Sequence, residues 1–455
     1  MATDCIAQTT FRFQRIRQAV VARFDQPEAS SDGGAILLKR VDEALGLTAR
    51  LAAALPDPRQ PGKVQHSIRD LLRQRVFGLA CGYPDGNDAA RLAHDPLHKL
   101  LLDRDPVAGV PLGSQPTLSR FENAVSRPSL YRLGVALADT VLQFHRTRLG
   151  GRVRRITIDV DTTDDPTHGQ QQFAFFNGYY DTWCYLPLIA TVTFNDEPAQ
   201  YLVATLLRPG TAASTRGVRG LLRRLCSRLR ATFPGARLRV RLDAGFASAP
   251  LLTFLEREAV EYVVAWPAHA RLRRRIRRLQ ARARALARQR GRSVRLLAAT
   301  GYRGPRWPHP RRLILKAEVL YYPGRAPKDN PRFVLTNLPH HPATVYAIYC
   351  ARGDMENRLK ELQHGLASDR TSCSRFGANQ LRLLFAAAAY VLFQVLRAHA
   401  QGTPWAGAQV ATLRERLIKV AAWIHRSVRR IVLHLPRSCA WREPWRQLAA
   451  ALGAT

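Results

Sequence analysis

Apolar residues recur at intervals of three and four in two stretches near the start of the chain. Ile36, Leu37, Val41, Leu45 and Leu51 do so within Gly34 to Leu55, and His66 to Ala80 repeats the behaviour. Both stretches are predicted helices. Residues 1–30 carry no such pattern. A polar turn, Gly82-Tyr83-Pro84-Asp85-Gly86-Asn87-Asp88, leads into Ala89–Ala93, and Pro106 to Pro116 reads as a Pro/Gly-containing loop. Thr117–Asn123, a break at Arg127-Pro128 and a helix to about His145 follow. Such a pair of helices suits a helix-turn-helix that enters DNA, and an ordinary helical bundle suits it equally. The first 150 residues are expected to be all-helical.

From residue 152 the period changes. Ile156, Ile158 and Val160 alternate with polar residues, which predicts a strand over 154–161. Phe173–Phe176, Trp183–Phe194 and Ala199–Leu207 are rich in β-branched and aromatic residues and read as further strands. Arg216–Phe233 has helical spacing, Arg237–Asp243 reads as a strand, Ala249–Glu258 as a helix and Tyr262–Trp266 as a strand. Strands first, then alternating helix and strand, imply a mixed α/β sheet. His269 to Arg295 reads as one long helix, and Arg312–Tyr322 with Arg332–Asn337 as a β-hairpin. Three helices are expected after Pro342: Thr344–Leu366, Arg375–His399 and Thr412–His434.

Charge sharpens this picture. Seventy Lys and Arg stand against 34 Asp and Glu, giving a net charge of +36. A surface that basic repels itself unless it meets a polyanion, of which nucleic acid is the commonest. A bias toward Arg codons accounts for Arg over Lys, but not for the shortage of acids. Twelve arginines fall between His269 and Arg295, and no acid occurs between Glu261 and Glu318. A run this dense without counter-charge is expected to bind phosphate, with Arg273, Arg274, Arg277 and Arg278 on the helix.

Seven cysteines (5, 81, 184, 226, 350, 373, 439) form no C-x-x-C pair, which argues against a disulfide framework or structural zinc and fits a reducing cytosol. No apolar signal segment opens the chain, and the run Leu383–Phe393 is too short to span a bilayer. The expected location is cytoplasmic, on the nucleoid, with no membrane partner.

Three acidic positions stand out. The strand at 154–161 runs into Asp159, Asp161, Asp164 and Asp165, four carboxylates within seven residues, which a simple buried strand would not tolerate. The strand at 237–243 ends in Asp243-Ala244-Gly245, and in α/β sheets functional groups collect at the carboxyl ends of strands. On the helix after Pro342, roughly 100° per residue puts Tyr349, Arg352, Glu356, Lys360 and Gln363 within one narrow arc. Ile348, Met355, Leu359, Leu362 and Leu366 form a buried stripe beside it, with Asp354 and Glu361 on the solvent side. Glu356 then lies at the edge of the buried face, although pairing with Arg352 and Lys360 on a solvated face fits the same spacing. Clustered carboxylates repel and call for hard divalent cations, and two Mg²⁺ ions about 4 Å apart are a device for phosphoryl transfer on DNA or RNA.

The motifs Asp-x-Asp-Thr-Thr (159–163), Leu-Asp-Ala-Gly-Phe (242–246) and Tyr-x-x-Arg-x-x-x-Glu (349–356) resemble the DDE transposases of bacterial insertion sequences. The phrases at 352–362 and 82–92 are similar to the insertion-sequence 1380 family, and the likeness runs from about residue 30 to 400. The resemblance implies a ribonuclease H-like mixed sheet flanked by helices, with an all-helical N-terminal DNA-binding region (1–150). The core would run over 151–266 and be completed by 342–405. A basic insertion would occupy 267–341, and C-terminal helices 406–455. It implies Asp161, Asp243 and Glu356 as catalytic ligands of two Mg²⁺ ions, with Mn²⁺ able to substitute. Tyr349 and Arg352 would touch the DNA end, and Asp159 would support the site from behind. The related signature has Lys seven residues after the Glu; here that residue is Gln363, and Lys360 is the substitute on the same face. The implied activity is binding of terminal inverted repeats, metal-dependent cleavage and strand transfer into target DNA, by a synaptic homodimer. The same residues would serve a metal-dependent DNA nuclease, and a catalytically inactive DNA-binding derivative is a further alternative. Asp161 is favoured over Asp159, with Asp164 and Asp165 placed on a solvated turn.

Overall fold

The computed structural model describes residues 8–305, 307–322 and 324–454; Cys5 lies outside them. The N-terminal part contains β1 (Gln8–Phe11), β2 (Val20–Arg23) and β3 (Ala29–Ser30). The helices α1 (Ala35–Leu45), α2 (Leu47–Ala53), α3 (Ile68–Cys81), α4 (Gly86–Arg91), α5 (Pro96–Leu101), α6 (Gln115–Asn123) and α7 (Arg127–Leu149) follow. The middle holds β4 (Arg155–Thr162), β5 (Asp165–Pro166), β6 (Phe175–Asn177), β7 (Thr182–Tyr185), β8 (Leu188–Phe194), β9 (Tyr201–Leu206), α8 (Val218–Thr232), β10 (Arg237–Leu242), α9 (Ala249–Arg257) and β11 (Glu261–Ala265). Then come α10 (Ala270–Arg290), β12 (Val294–Tyr302), β13 (Arg311–Leu320), β14 (Lys328–Asp329), β15 (Arg332–Thr336), α11 (Pro342–Cys350), α12 (Asp354–Lys360) and α13 (Phe376–His399). The chain closes with α14 (Val410–Leu413), β16 (Ala422–Arg426), β17 (Ile431–His434) and α15 (Arg442–Ala451).

A nine-stranded mixed sheet organises the molecule, in the order β12-β13-β15-β11-β10-β4-β8-β9 with β14 beside β13. β4 is antiparallel to β8, and β8 to β9, while β4, β10 and β11 run parallel. Ile156, Ile158 and Val160 are fully buried, as the alternation predicts. Beyond β11 the hairpin strands β13 and β15, together with β12, continue the same sheet through the β11–β15 pairing.

The helix α13 covers the edge strand β9. Gln394 Oε1 accepts from the Leu202 N–H (3.0 Å) and Gln380 Oε1 from the Leu207 N–H (2.6 Å), while Gln394 Nε2 donates to the Gln200 carbonyl at 2.8 Å. These amides satisfy an edge that would otherwise be open to pairing. The helix is long and apolar enough to cross a membrane, but 89% of its apolar window is buried in the fold, so core burial accounts for its composition.

Several predicted elements are corrected. Residues 8–30 are not patternless: β1 pairs with β2, and β3 pairs with β16. The hairpin leaves both faces in solvent, so no apolar alternation marked it. For the same reason residues 8–150 are predominantly, not wholly, helical. The strand expected over 183–194 breaks at Leu186-Pro187, because Pro lacks the N–H a ladder needs. The basic helix stops at Arg290, where Gly291 adopts a left-handed conformation (φ 58°), and Arg292 and Arg295 lie beyond it. The helix expected over 344–366 is broken by a 3₁₀ turn at Ala351–Gly353 and a π turn at Glu361–Gly365. The helix expected over 412–434 is also wrong in kind. After α14 and a π turn (Arg414–Ile418) the chain forms the β16–β17 hairpin, anchored by β3. Ile424, Ile431 and Val432 supply the β-branched side chains, and pairing with a strand about 390 residues away is invisible to local periodicity.

Candidate active site

Strand register assembles the site. In the parallel β4–β10 pair Asp159 lies opposite Arg241. Two residues further along each strand, on the same face, stand Asp161 and Asp243, which therefore reach the same level at adjacent carboxyl ends. Arg241 donates twice to Asp159, Nε to Oδ1 at 2.8 Å and Nη2 to Oδ2 at 2.6 Å, and Gln200 Nε2 adds a third bond at 3.0 Å. Asp159 is thus consumed by a buried, bidentate ion pair beneath the strand ends. Arg241 Nη1 also donates to the Ile348 carbonyl at 3.1 Å, tying the end of α11 to this face of the sheet. Thr191, opposite Asp159 on β8, donates to Met355 Sδ at 3.3 Å. Together these contacts lay the α11–α12 segment across the strand ends.

The segment delivers Arg352 between the two aspartates. Its Nη2 is 2.6 Å from Asp161 Oδ2 and 3.8 Å from Asp243 Oδ2. Asp161 Oδ1 accepts from the Thr162 N–H at 2.9 Å, and Asp243 Oδ1 accepts from the Gly245 N–H at 2.9 Å. Gly245 lets this turn approach closely, since a Cβ would stand 3.2 Å from Asp243 Oδ1 and 3.3 Å from Ser214 Oγ. Burial pushes the Asp161 carboxyl up to about 6; Arg352 pulls it down, while Asp243 and Glu356 push it further up. Glu356 thus belongs to the same electrostatic cluster from its exposed place on the first turn of α12. Tyr349 lies half-buried against Tyr346, ring centroids 6.0 Å apart. Burial raises its phenol, with Arg352 opposing and Asp243 reinforcing.

Gln363 donates to Thr163 Oγ1 at 2.8 Å and to the Asp164 carbonyl at 2.9 Å, clamping the chain that leaves β4. Lys360 is exposed one turn after Glu356. Arg273, Arg274, Arg277 and Arg278 are exposed on α10, which packs on β12 and β13 at the far side of the sheet from β4. The structure therefore does not bring them to the carboxylates.

Two acids differ from expectation. Asp165 is 1% exposed, not on a solvated turn: it pairs through β5 with β7 and accepts from Thr371 Oγ1 at 3.0 and 2.8 Å. Burial pushes its carboxyl up to about 8, with Asp369 and Asp164 adding to the rise. Glu361 is buried, not solvent-facing, because α13 and the start of α14 pack over that side of the segment. There it pairs with Arg397, with Arg358 at 3.1 Å, and with the Tyr390 hydroxyl at 2.7 Å. Arg241 was missed altogether. Its signal was the alternation of Arg237, Arg239 and Arg241 with Leu238, Val240 and Leu242, which puts arginines on one face of a central strand.

A second cluster lies elsewhere, among the N-terminal helices. The Asp32, Cys81 and His98 ligand atoms lie within 4.8 Å of one another, the one such triple among the described residues. Both oxygens of Asp32 are already engaged, Oδ1 by Lys419 at 2.7 Å and Oδ2 by His98 at 2.9 Å. Burial holds the Cys81 thiol well above its ordinary range. An ammonium at this distance supplies the charge a metal would, so the cluster reads as a buried ion-pair network.

A family model described as Transposase DDE domain group 1 matches residues 14–455. The chain belongs to the DDE transposase domain family. No curated protein sequence matches the transposase. Among solved structures it is similar to the piggyBac transposase in its synaptic complex with hairpin DNA. That match has 13% identity and a TM-score of 0.42, and covers 85% of this chain and 79% of the other.

Proposed function

We propose that this transposase, of the insertion-sequence 1380 type and of bacterial origin, binds the terminal inverted repeats of its element. It cleaves there and joins the freed 3′-hydroxyls to target DNA. The observation that carries the reading is the level placement of Asp161 and Asp243 at neighbouring parallel strand ends, with the Glu356 segment laid across them. A ribonuclease H-like core is supported by the arrangement of five strands. An antiparallel meander, β4-β8-β9, is extended on the other side of β4 by the parallel β10 and β11.

The residues fit hard divalent cations. Every candidate donor is a carboxylate oxygen, which suits Mg²⁺ or Mn²⁺. Arg352 stands in as counter-charge, its Nη2 2.6 Å from Asp161 Oδ2 where a cation would take over that charge, and its Nε is buried without a hydrogen-bond partner among the described residues. Asp161, Asp243 and Glu356 would hold the two ions, which supply Lewis acidity at the attacking and leaving oxygens. Arg352, released from Asp161, becomes a donor for a DNA phosphate, as its fork geometry favours. Tyr349 borders the same opening. Asp159 and Arg241 hold β4 and β10 in register below it, and the exposed arginines of α10 give the duplex an anchor away from the chemistry. Two copies of the chain would hold two element ends, and the protein would act on the nucleoid.

The test uses duplex DNA carrying the sequences that flank the reading frame. Asp161→Ala and Glu356→Ala are each expected to abolish Mg²⁺-dependent cleavage and end joining without lowering the melting temperature. Cleavage that persists in either variant would overturn the site. Cleavage by the wild type without joining of a 3′-hydroxyl donor would favour the nuclease reading.

A further inference from the structure

The N-terminal ribbon is built unlike any other part of the molecule. Every residue from 9 to 27 is exposed, although β1 and β2 pair from Gln8↔Arg23 to Phe11↔Val20. A lone two-stranded hairpin is marginal in water. This one also leaves large apolar side chains uncovered: Phe11 (46% exposed), Phe13 (53%), Ile16 (48%), Val20 (41%) and Phe24 (102%). The register puts Phe11 and Val20 on one face, and the rings of Phe11 and Phe13 stack at 6.3 Å. Between the strands run Arg12, Arg15 and Arg17. Among the described residues no carboxylate lies within 4.0 Å of these three. Among the described residues, therefore, the ribbon presents unneutralised cations at its tip and exposed apolar side chains beside them, with no other element covering either.

We propose that the β1–β2 ribbon is an arm that lies in the major groove of duplex DNA. Arg12, Arg15 and Arg17 bind phosphates, and Phe11, Phe13 and Val20 face sugars and base edges. Charge decides the occupant: a second copy of a chain carrying +36 repels an arginine-tipped arm, whereas a polyanion attracts it. Shape agrees, because a groove about 12 Å wide admits a two-stranded ribbon. The inference rests on the DNA-binding reading above, but assigns binding to residues outside the sheet, the carboxylates and α10.

The experiment measures anisotropy of a labelled mixed-sequence duplex with the full chain over a salt series. Compared are the wild type, Arg12→Ala/Arg15→Ala/Arg17→Ala, and Phe11→Ser/Phe13→Ser. Since the altered residues are exposed, both variants should melt with the wild type. The arginine variant is expected to bind with a log–log salt slope shallower by about 2.7, at roughly 0.9 per phosphate contact. The phenylalanine variant should keep the slope and bind more weakly at every salt concentration. Wild-type binding with an unchanged slope in the arginine variant would overturn the arm and leave the transposase reading intact. If the wild type failed to bind duplex at all, both would fall. A drop in molar mass by light scattering, with the slope unchanged, would make the ribbon a self-association element and also overturn the proposal.

Discussion

Asp159, Asp161 and Asp165 occupy one short stretch yet meet three different fates, set by what each side chain faces. Asp159 is 0% exposed and paired with Arg241, Asp161 shares Arg352 with Asp243, and Asp165 accepts from the Thr371 hydroxyl. Without an ion pair among the described residues, Asp165 is held up to about 8 by burial. Its folded value lies above its unfolded value of 3.8, so the folded state binds the extra proton, and that stabilisation is lost as pH rises toward 8. Asp161, pushed up to about 6, contributes with the same sign at lower pH. Denaturant melts are therefore expected to weaken between pH 6 and 8, and Asp165→Asn to flatten that window. An equally steep fall in the Asn variant would show that another group carries it. Periodicity left Asp159 and Asp161 equal, and only the Asp-Thr-Thr resemblance and the place at the strand end favoured Asp161; the burial of Asp165 had no local signal, since its hydroxyl partner Thr371 lies more than 200 residues away.

At the scale of elements, the long helices and most strands were legible because each buries one consistent face. The breaks within the expected helices share a cause. The π turns at Glu361–Gly365 and Arg414–Ile418, and the 3₁₀ turn at Ala351–Gly353, each shift the register by part of a turn. A helical wheel also sends Glu361 outward, where α13 and α14 in fact cover it. α10 shows the opposite case: Leu272, Ile276, Ala283 and Ala287 are buried and the arginines lie outside, as its spacing predicts. Replacing Arg273, Arg274, Arg277 and Arg278 together by Ala is expected to reduce the salt slope of duplex binding by up to about 3.6, at roughly 0.9 per contact. An unchanged slope would leave those arginines as a solvated face. If helix and ribbon contact different stretches of duplex, their effects should add.

At the scale of the whole molecule, one sheet and one helix hold the parts together. Gln394 of α13 satisfies both the Leu202 N–H and the Gln200 carbonyl on the edge strand. Gln394→Leu would bury both groups unpaired, at a cost of about 1–3 kcal/mol each, and should lower the urea midpoint; an unaltered midpoint would mean that the edge is satisfied some other way. The sequence by itself determined the acids at two strand ends, the Tyr-x-x-Arg-x-x-x-Glu spacing, the excess of positive charge and the α/β alternation, because each is written in residues close together. Tertiary structure alone decided that Asp161 and Asp243 stand level, that Arg352 lies between them, that Asp159 is spent on Arg241, and that residues 9–27 of the N-terminal ribbon are exposed. Each of these depends on a partner tens to hundreds of residues away, or on the lack of one, and local periodicity holds no record of either.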